Sequence, residues 1–321
     1  MAVYTSINKE TLTSFLDSYD IGLLENFEGI LEGVENTNYK IKTSCDLYIL
    51  TIFEKRINKH ELPFFIELQN HLSNKNIKCP HPIADRSGQF INTIRNKPCV
   101  IMSFLSGKKI DNPNAHHCYQ VGEQLANMHQ HTEDFTLIRD NNLHQSHWRN
   151  IFEKCQESQD NQYNELFDSI KKELQYLDKN WPTDLPKGVI HADVFQDNVF
   201  FIKNTLSGLI DFYFACNDFY AYELAISINA WCFDNKGIFD QGKCEAILKG
   251  YQKIRTLSNK ELDNLTILLR GASMRILLTR LHDQLFHSSE AYVTPKDPME
   301  YFAILKYFQN NTILNKKIHG N

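Results

Sequence analysis

The sequence predicts an α+β protein of two lobes, a small five-stranded antiparallel lobe followed by a mainly helical lobe. Three observations predict this organisation. Short alternating runs rich in β-branched and aromatic residues fill the first third of the chain, whereas apolar residues recur at helical spacing over most of the remainder. The length of 321 residues also favours more than one core. We therefore expect a first lobe at 1–102, a hinge at 103–107 and a second lobe at 108–321.

The first lobe is predicted to combine five strands and a helix, preceded by a bracing helix at 8–24. Three strands are expected within 27–53, because alternating runs there are separated by glycine, asparagine and a polar turn. The helix at 62–74 carries a proline in its first turn, where a missing N–H costs little. Two further strands are expected at 89–93 and 97–102.

The second lobe begins after a short segment that contains Gly107, as a hinge between lobes requires. Its long helix at 259–286 has a broad apolar stripe that predicts burial along one side. Between the earlier helices and the later ones, two short apolar strands are expected within 188–214. The helices predicted for this lobe lie at 116–131, 150–177, 220–233, 240–254, 259–286 and 301–308.

Composition and charge are those of an ordinary globular protein. The net charge of −5 carries no electrostatic signature of nucleic-acid or anionic-membrane binding, so we expect a small-molecule substrate instead. The sequence starts without a secretory signal and contains no apolar run of about 18 residues. Its eight cysteines form no C-x-x-C pair, and we expect them to be reduced. These features together favour a cytoplasmic protein.

Five polar side chains stand out on the apolar background of 188–214: His191, Asp193, Asp197, Asn198 and Asp211. Phosphoryl transfer needs a carboxylate that accepts the proton of an attacking hydroxyl. It also needs oxygen ligands at neighbouring strand ends to hold magnesium. Asp193, Asn198 and Asp211 supply that set. A hydrolase that uses a metal ion is the alternative, but the preceding sheet lobe and hinge favour a nucleotide cleft.

The spacing within this stretch is that of a kinase catalytic loop, with His-x-Asp, an Asn five residues after the Asp and then an Asp at a strand end. In such a loop we expect His191 to hold the backbone rather than to transfer protons. Asp197 could be a second metal contact, but we favour an exposed surface charge. The pattern therefore predicts phosphoryl transfer, with Asp193 at its centre.

These residues give the chain a resemblance to the aminoglycoside phosphotransferase and choline kinase-like family, which has the protein-kinase fold. Its motifs are His-Ala-Asp-Val-Phe-Gln-Asp-Asn at 191–198, Ile-Asp-Phe at 210–212 and Gly-Glu-Gln-Leu-Ala-Asn-Met-His at 122–129. More narrowly, the chain resembles the bacterial homoserine kinase branch of that family. This narrower resemblance rests on the segments 33–39, 48–54, 62–65, 210–216 and 228–232.

The resemblance implies transfer of the ATP γ-phosphate to the side-chain hydroxyl of L-homoserine, a reaction of threonine synthesis. It implies that Asp193 is the catalytic base and that Asn198 and Asp211 bind Mg²⁺. Backbone groups of the hinge, at Ser103 and Leu105, would meet the adenine. The turn between the first two strands would cover the phosphates, through Gly33, Asn36 and Asn38.

One departure from the family pattern concerns strand three. Thr51 stands where the wider family carries a lysine or arginine that touches the phosphates. Lys55 and Arg56 are candidates to replace that cation, unless magnesium and the loop backbone suffice; Glu61 and Glu67 are candidate acidic partners on the helix. A non-catalytic pseudokinase is the corresponding alternative, weakened by the complete Asp193, Asn198 and Asp211 set.

An amino-acid acceptor needs a guanidinium for its carboxylate and an acid for its ammonium. Arg275 and Arg280 flank the apolar stripe of the long helix, and each has a structural acid as its alternative partner. Arg270 lies nearly opposite, and we expect it to be solvated. Other candidates for the pocket are Tyr213, Asp218, Glu223, Asn229, Trp231 and Asp234. Choline, hydroxylysine, methylthioribose or an aminoglycoside are the alternative acceptors, although Trp231 is better explained by core packing than as a face for choline.

Overall fold

The sheet of the first lobe is antiparallel, with the strand order β1-β2-β3-β6-β4 and with β5 paired to β6. The structure, a computed structural model, describes residues 4–31, 36–54, 58–158, 160–286 and 295–313. Within these residues the strands are β1 Leu24–Ile30, β2 Thr37–Thr43, β3 Leu47–Ile52, β4 Pro82–Ile83, β5 Asn92–Ile94 and β6 Lys97–Ser103.

The five strands predicted from the sequence are present, and the sheet gains one more in β4. This strand has two residues and pairs with Met102 and Ile101 at the edge of the sheet. Pro82 lacks a backbone N–H, which an edge strand tolerates because one side of it needs no ladder bonds. Because proline usually interrupts a strand pattern, the local sequence does not predict β4.

The two faces of this sheet carry different helices. One face packs against α1 (Lys9–Leu16), which ends earlier than predicted although Asn8 caps its first turn as expected. The other face packs against α2 (Leu62–Asn74), which has the predicted bounds. Leu50 and Ile52 lie in the α1 cluster, and side chains alternate along a strand, so Thr51 points to the α2 side, toward the second lobe.

The second lobe surrounds its strands with seven helices within the described residues. They are α3 Ala115–His131, α4 Trp148–Glu157, α5 Asn164–Asn180, α6 Tyr220–Trp231, α7 Gln241–Gln252, α8 Asn259–Leu285 and α9 Pro298–Asn310. The helix predicted over 150–177 is interrupted, because Ser158 bonds back to the carbonyl of Cys155 and Asp160 accepts from the amide of Gln162. None of the described helices has the length and apolarity that a membrane span requires.

Two points of hydrogen bonding hold the chain near the predicted hinge, and the second of them joins the lobes. Lys108 and Phe201 exchange backbone hydrogen bonds of 3.0 and 2.8 Å. Gly107 has a φ of +124°, and a Cβ there would lie 2.9 Å from the carbonyl oxygen of Phe201. The second point is Lys78, whose carbonyl accepts from the amide of Leu209 at 3.0 Å. The hinge at 103–107 remains our prediction for the domain boundary.

Arg270 corrects an expectation from the sequence. The Arg270 guanidinium donates two hydrogen bonds of 2.7 Å to the carboxylate of Glu173 on α5. The guanidinium carbon Cζ lies 3.8 Å from the ring centre of Tyr176. The Arg270 side chain is 13% exposed and that of Glu173 3%. The expected solvation is wrong because α5 and α9 pack beside α8, which the periodicity of α8 alone does not reveal.

We predict that Glu173→Gln lowers the free energy of unfolding by about 3 kcal/mol, because removing one partner of a buried ion pair leaves the other charge unpaired. Urea denaturation measures the loss. Lys260→Gln is the matched control, since the ammonium of Lys260 pairs with the exposed Asp184. Equal stability of the Glu173→Gln variant and the control would contradict the structural importance of the Arg270–Glu173 pair.

Candidate active site

The two strand pairs of the second lobe bring the polar residues of 188–214 together. They are β7 (Lys187–Ile190) with β10 (Cys216–Phe219), and β8 (Val199–Ile202) with β9 (Thr205–Leu209). Between β7 and β8 runs the 191–198 loop, which ends in a short 3-10 turn. The amide of Ile210 donates to the carbonyl of Asn198 at 3.0 Å. This bond places the strand end that carries Asp211 beside the 191–198 loop.

Asp193 is held by the side chain of Asn198. The Asn198 Nδ2 group donates to the Asp193 backbone carbonyl and to Asp193 Oδ2, each at 2.9 Å. Burial raises the pKa of Asp193 above its ordinary value; the positive charges of Arg275 and Lys296 act in the opposite direction without cancelling this effect. The result is a fixed, partly desolvated carboxylate, as a proton acceptor requires.

Asn198 and Asp211 present oxygen atoms suited to a hard cation. Since the Asn198 amide nitrogen is committed to Asp193, its Oδ1 is the atom left for another partner. Asp211 is exposed and lies in the left-handed region, with φ 63° and ψ 64°. Such strain in a residue other than glycine is concentrated at functional sites. Among the described residues, no three His, Cys, Asp or Glu side chains converge as a metal-binding group.

His191 holds the loop backbone, as predicted. Its ring is fully buried against Phe212, with 4.5 Å between ring centres. Nε2 lies 2.9 Å from the carbonyl oxygen of Ile210. His191 therefore links the start of the 191–198 loop to the strand end that precedes Asp211.

Glu223 lies behind the 191–198 loop rather than in front of it. Its carboxylate on α6 is fully buried and accepts the backbone amides of His191 and Ala192. Nε2 of His129, on α3, lies 3.8 Å from the same carboxylate. The sequence made Glu223 a candidate for the substrate ammonium. Because its oxygen atoms face buried backbone groups, we reassign it to the support of the loop.

Arg275 also supports the 191–198 loop. Its side chain is 2% exposed, and one guanidinium nitrogen donates to the carbonyl of Ala192 at 2.6 Å. Arg280, further along α8, donates to the carbonyl of Asp297 at 2.9 Å and to the carboxylate of Glu300 at 2.6 Å. Both arginines, expected as candidates for the substrate carboxylate, thus have protein partners.

Three other predicted pocket residues are likewise engaged. Asp218 is buried and accepts from the side-chain amide of Asn141 at 2.7 Å. The Tyr213 ring packs edge-on against Phe53 of the first lobe, with 5.5 Å between ring centres, and burial raises the pKa of Tyr213. Trp231 is fully buried and donates to the carbonyl of Val194 at 2.8 Å, which confirms its prediction as a core residue.

The hinge offers specific backbone groups to the cleft. The Ser103 amide donates to the carbonyl of His81 at 2.8 Å, so of its two backbone groups only the carbonyl is a candidate for contact with a ligand. The Leu105 amide donates no hydrogen bond to any of the described residues. One carbonyl and one amide two residues apart can together meet the donor and acceptor edge of a purine.

Two polar side chains are hydrogen-bonded to Thr51. The Thr51 hydroxyl donates to Oδ1 of Asn38 at 2.8 Å, and Tyr213 is a further hydrogen-bond partner of Thr51. Oδ1 of Asn36 accepts from the amide of Glu54 at 3.4 Å. Gly33, Lys55 and Arg56 lie outside the described residues.

The two candidate acidic partners on α2 differ in their surroundings. Glu61 pairs with Arg139 at 3.1 Å, so its carboxylate is already engaged with the second lobe. Glu67 is exposed on the surface of α2. Within the described residues neither carboxylate is hydrogen-bonded to Thr51, so the role of both in the cleft stays a prediction.

Lysines near the loop were not predicted from the sequence. Asp197 is 55% exposed, as expected for a surface charge, but two ammonium groups approach it. Nζ of Lys109 lies 3.0 Å from Asp197 Oδ1, and Nζ of Lys296 lies 3.7 Å from Oδ2. Lys296 is about a hundred residues from the loop in sequence and belongs to no motif considered above, so no local spacing could have revealed this contact.

Comparison with known proteins agrees with this geometry. The phosphotransferase enzyme family matches residues 26–257 of the chain. Homoserine kinase from Parvibaculum lavamentivorans is 47% identical and covers 96% of each chain, and that of Agrobacterium fabrum is 45% identical over 100% of this chain and 99% of its own.

Solved structures show the same fold at much lower identity. Choline kinase from Cryptosporidium parvum has a TM-score of 0.69 at 13% identity, covering 97% of this chain and 99% of its own. A spectinomycin phosphotransferase, solved with ADP and spectinomycin, has a TM-score of 0.68 at 13% identity, covering 96% of each chain. The two-lobed fold and the full-length matches agree: this chain belongs to the phosphotransferase enzyme family.

Proposed function

We propose that this protein is an ATP-dependent homoserine kinase, which converts L-homoserine to O-phospho-L-homoserine in threonine biosynthesis. The observation that carries the acceptor is the identity of 45–47% to homoserine kinases over nearly the whole chain. The arrangement of Asp193, Asn198 and Asp211 supports the phosphoryl-transfer chemistry independently of that identity.

In this proposal Asp193 is the catalytic base. The acceptor hydroxyl donates its proton to the Asp193 carboxylate as its oxygen attacks the γ-phosphorus and the bond to ADP breaks. The hydrogen bond from Asn198 Nδ2 fixes the orientation of the carboxylate. A raised pKa makes Asp193 a stronger base than an exposed aspartate.

Asn198 and Asp211 would hold Mg²⁺, through the amide oxygen and the carboxylate. The ion would neutralise negative charge on the phosphates of ATP. The protein's own contribution is to fix these two ligands beside Asp193. The backbone bond from Ile210 to Asn198 and the ring of His191 both serve this end.

ATP would lie between the lobes. The Ser103 carbonyl and the Leu105 amide would receive the adenine edge, and the turn containing Gly33, Asn36 and Asn38 would cover the phosphates. Thr51 cannot supply the cation that strand three of the wider family carries. Its hydroxyl and the Asn38 side chain instead give this part of the cleft a neutral polar lining.

A different acceptor is the alternative. Structural neighbours include a choline kinase and a spectinomycin phosphotransferase, but identities of 13% support the fold alone. A cage for the quaternary ammonium of choline needs an accessible aromatic face, and Trp231 is fully buried. The structure thus offers no support for choline at this residue, and homoserine remains the proposed acceptor.

We predict that homoserine stimulates ADP release from ATP and magnesium more strongly than choline, hydroxylysine, methylthioribose or kanamycin. A coupled ADP assay at equal acceptor concentrations measures this preference, with water alone as the baseline. Stronger stimulation by any of the other acceptors would contradict the proposed substrate.

Replacing Asp193 by Asn should lower kcat by about 10²- to 10⁴-fold, because a neutral amide cannot accept the hydroxyl proton. Nucleotide affinity, measured by titration with an ATP analogue, should change little. Asp263→Asn is the matched control, since it makes the same substitution at an exposed position on α8. If the Asp193→Asn variant retained the turnover of this control, Asp193 could not be the base.

The same variant should be more stable than the wild type at neutral pH, in the absence of nucleotide and metal. The raised pKa means that folding favours the protonated carboxyl, so stability is lost as the pH rises through the folded-state pKa. The stability difference should shrink as the pH is lowered from neutral toward about 4, the ordinary pKa of an aspartate. Thermal unfolding across this range tests it; a difference that grew on acidification would contradict the assigned direction.

A further inference from the structure

An amino-acid acceptor brings a carboxylate into the cleft, and the arginines expected to bind it are engaged elsewhere. Arg275 is almost fully buried and donates to the Ala192 carbonyl. Arg280 is occupied by Asp297 and Glu300. A cation for the substrate carboxylate must therefore come from another position.

Lys296 lies beside the 191–198 loop with its ammonium accessible. Nζ is 6.0 Å from the ring centre of Phe195, two residues after Asp193, and the side chain is 66% exposed. Its charge also acts on Asp193, where it opposes the effect of burial on the carboxyl pKa. These contacts place a positive charge near the proposed base, on the side open to solvent.

The segment that carries Lys296 is anchored to the second lobe. Asp297 caps α9 by accepting the amide of Met299 at 2.8 Å, and Arg280 donates to the Asp297 carbonyl. The ring of Tyr301, in the first turns of α9, lies 6.4 Å from that of Phe195. Lys296 therefore has a backbone position fixed relative to the loop, although its side chain remains free to move.

The present partner of Lys296 is weak. Asp197 is exposed, and the distance of 3.7 Å between Nζ and Oδ2 is long for a hydrogen bond. Exposed ion pairs of this kind contribute little, so an incoming carboxylate can replace Asp197 at small cost. A short saturated chain separates the hydroxyl of homoserine from its carboxylate, so both ends can be bound by neighbouring side chains.

We propose that the Lys296 ammonium binds the α-carboxylate of the acceptor while the acceptor hydroxyl faces Asp193. This assignment rests on the proposed homoserine kinase function and adds a specificity-determining residue to it. The contact explains how a pocket without an accessible arginine among the described residues selects an amino acid over an amino alcohol. A contact between Lys296 and the transferred phosphate is the competing role, and kinetics separates the two.

The test compares Lys296→Gln with Lys109→Gln, which removes the other ammonium near Asp197. Steady-state kinetics is measured with homoserine and with 3-amino-1-propanol, which is homoserine without its carboxylate. We expect Lys296→Gln to raise the KM for homoserine about 10- to 100-fold, the effect of one charge-assisted contact. The kcat, the KM for ATP and the kcat/KM for 3-amino-1-propanol should change less than about threefold. Lys109→Gln should leave all these values near those of the wild type, and Lys296→Arg should restore most of the affinity.

Three results would overturn the inference. An unchanged KM for homoserine in Lys296→Gln would remove the contact. A fall in kcat with both acceptors would assign Lys296 to the phosphate instead. An equal effect of Lys109→Gln would show that Lys296 acts only through the general electrostatic field.

Wild-type protein unresponsive to homoserine would overturn the proposed function itself. A responsive wild type with an unaffected Lys296→Gln variant would overturn the Lys296 contact alone. Thermal unfolding of each variant verifies that it is folded.

Discussion

The site depends on how one residue, Ala192, is held. It adopts a positive φ of 62°, which is costly for a residue other than glycine, immediately before Asp193. The buried Glu223 carboxylate accepts its amide, and the buried Arg275 guanidinium donates to its carbonyl. A negative charge therefore binds the amide of Ala192, and a positive charge binds its carbonyl. Each charge is partly compensated by the peptide group that it binds, and the strained residue lies directly before Asp193.

This arrangement also explains why several candidate substrate ligands, such as Glu223 and Arg275, have partners within the protein. A loop held by charged groups needs those groups to be dry, since water would weaken each contact. Burial lowers the pKa of His129, which favours a neutral ring beside Glu223. The residues that face solvent, Asp197 and Lys296, are left for exchangeable contacts. Buried charged side chains thus hold the 191–198 loop, and the exposed charges of Asp197 and Lys296 lie beside it.

The sequence revealed the parts of the site that are local in the chain. The residues from His191 to Asn198 belong to one loop, and Asp211 lies at the end of the adjoining hairpin. Residues that are close in sequence are therefore also close in space here. It could not reveal Lys296, which reaches the loop only because α9 docks on α8. For the same reason Arg270 was misjudged, since a helical wheel describes one helix and not the neighbours that cover it. The strands of the first lobe were predictable because alternation is a local property, whereas the short edge pairing of Pro82 is not.

The hydrogen bonds around the hinge have a mechanical consequence. Phe104 is bonded to Leu47 of the sheet, whereas the Ser106 carbonyl is bonded by Ser207 of the second lobe. These bonds agree with a passage between the lobes at Leu105, within the predicted hinge, and the bond of Lys78 to Leu209 is a second fixed point. A rotation that keeps both intact turns about the line through them, and it would alter other contacts between the lobes, such as the Glu61–Arg139 pair. Adenine bound at Leu105 would lie close to this axis and move little, whereas parts of the first lobe further from the axis would move more.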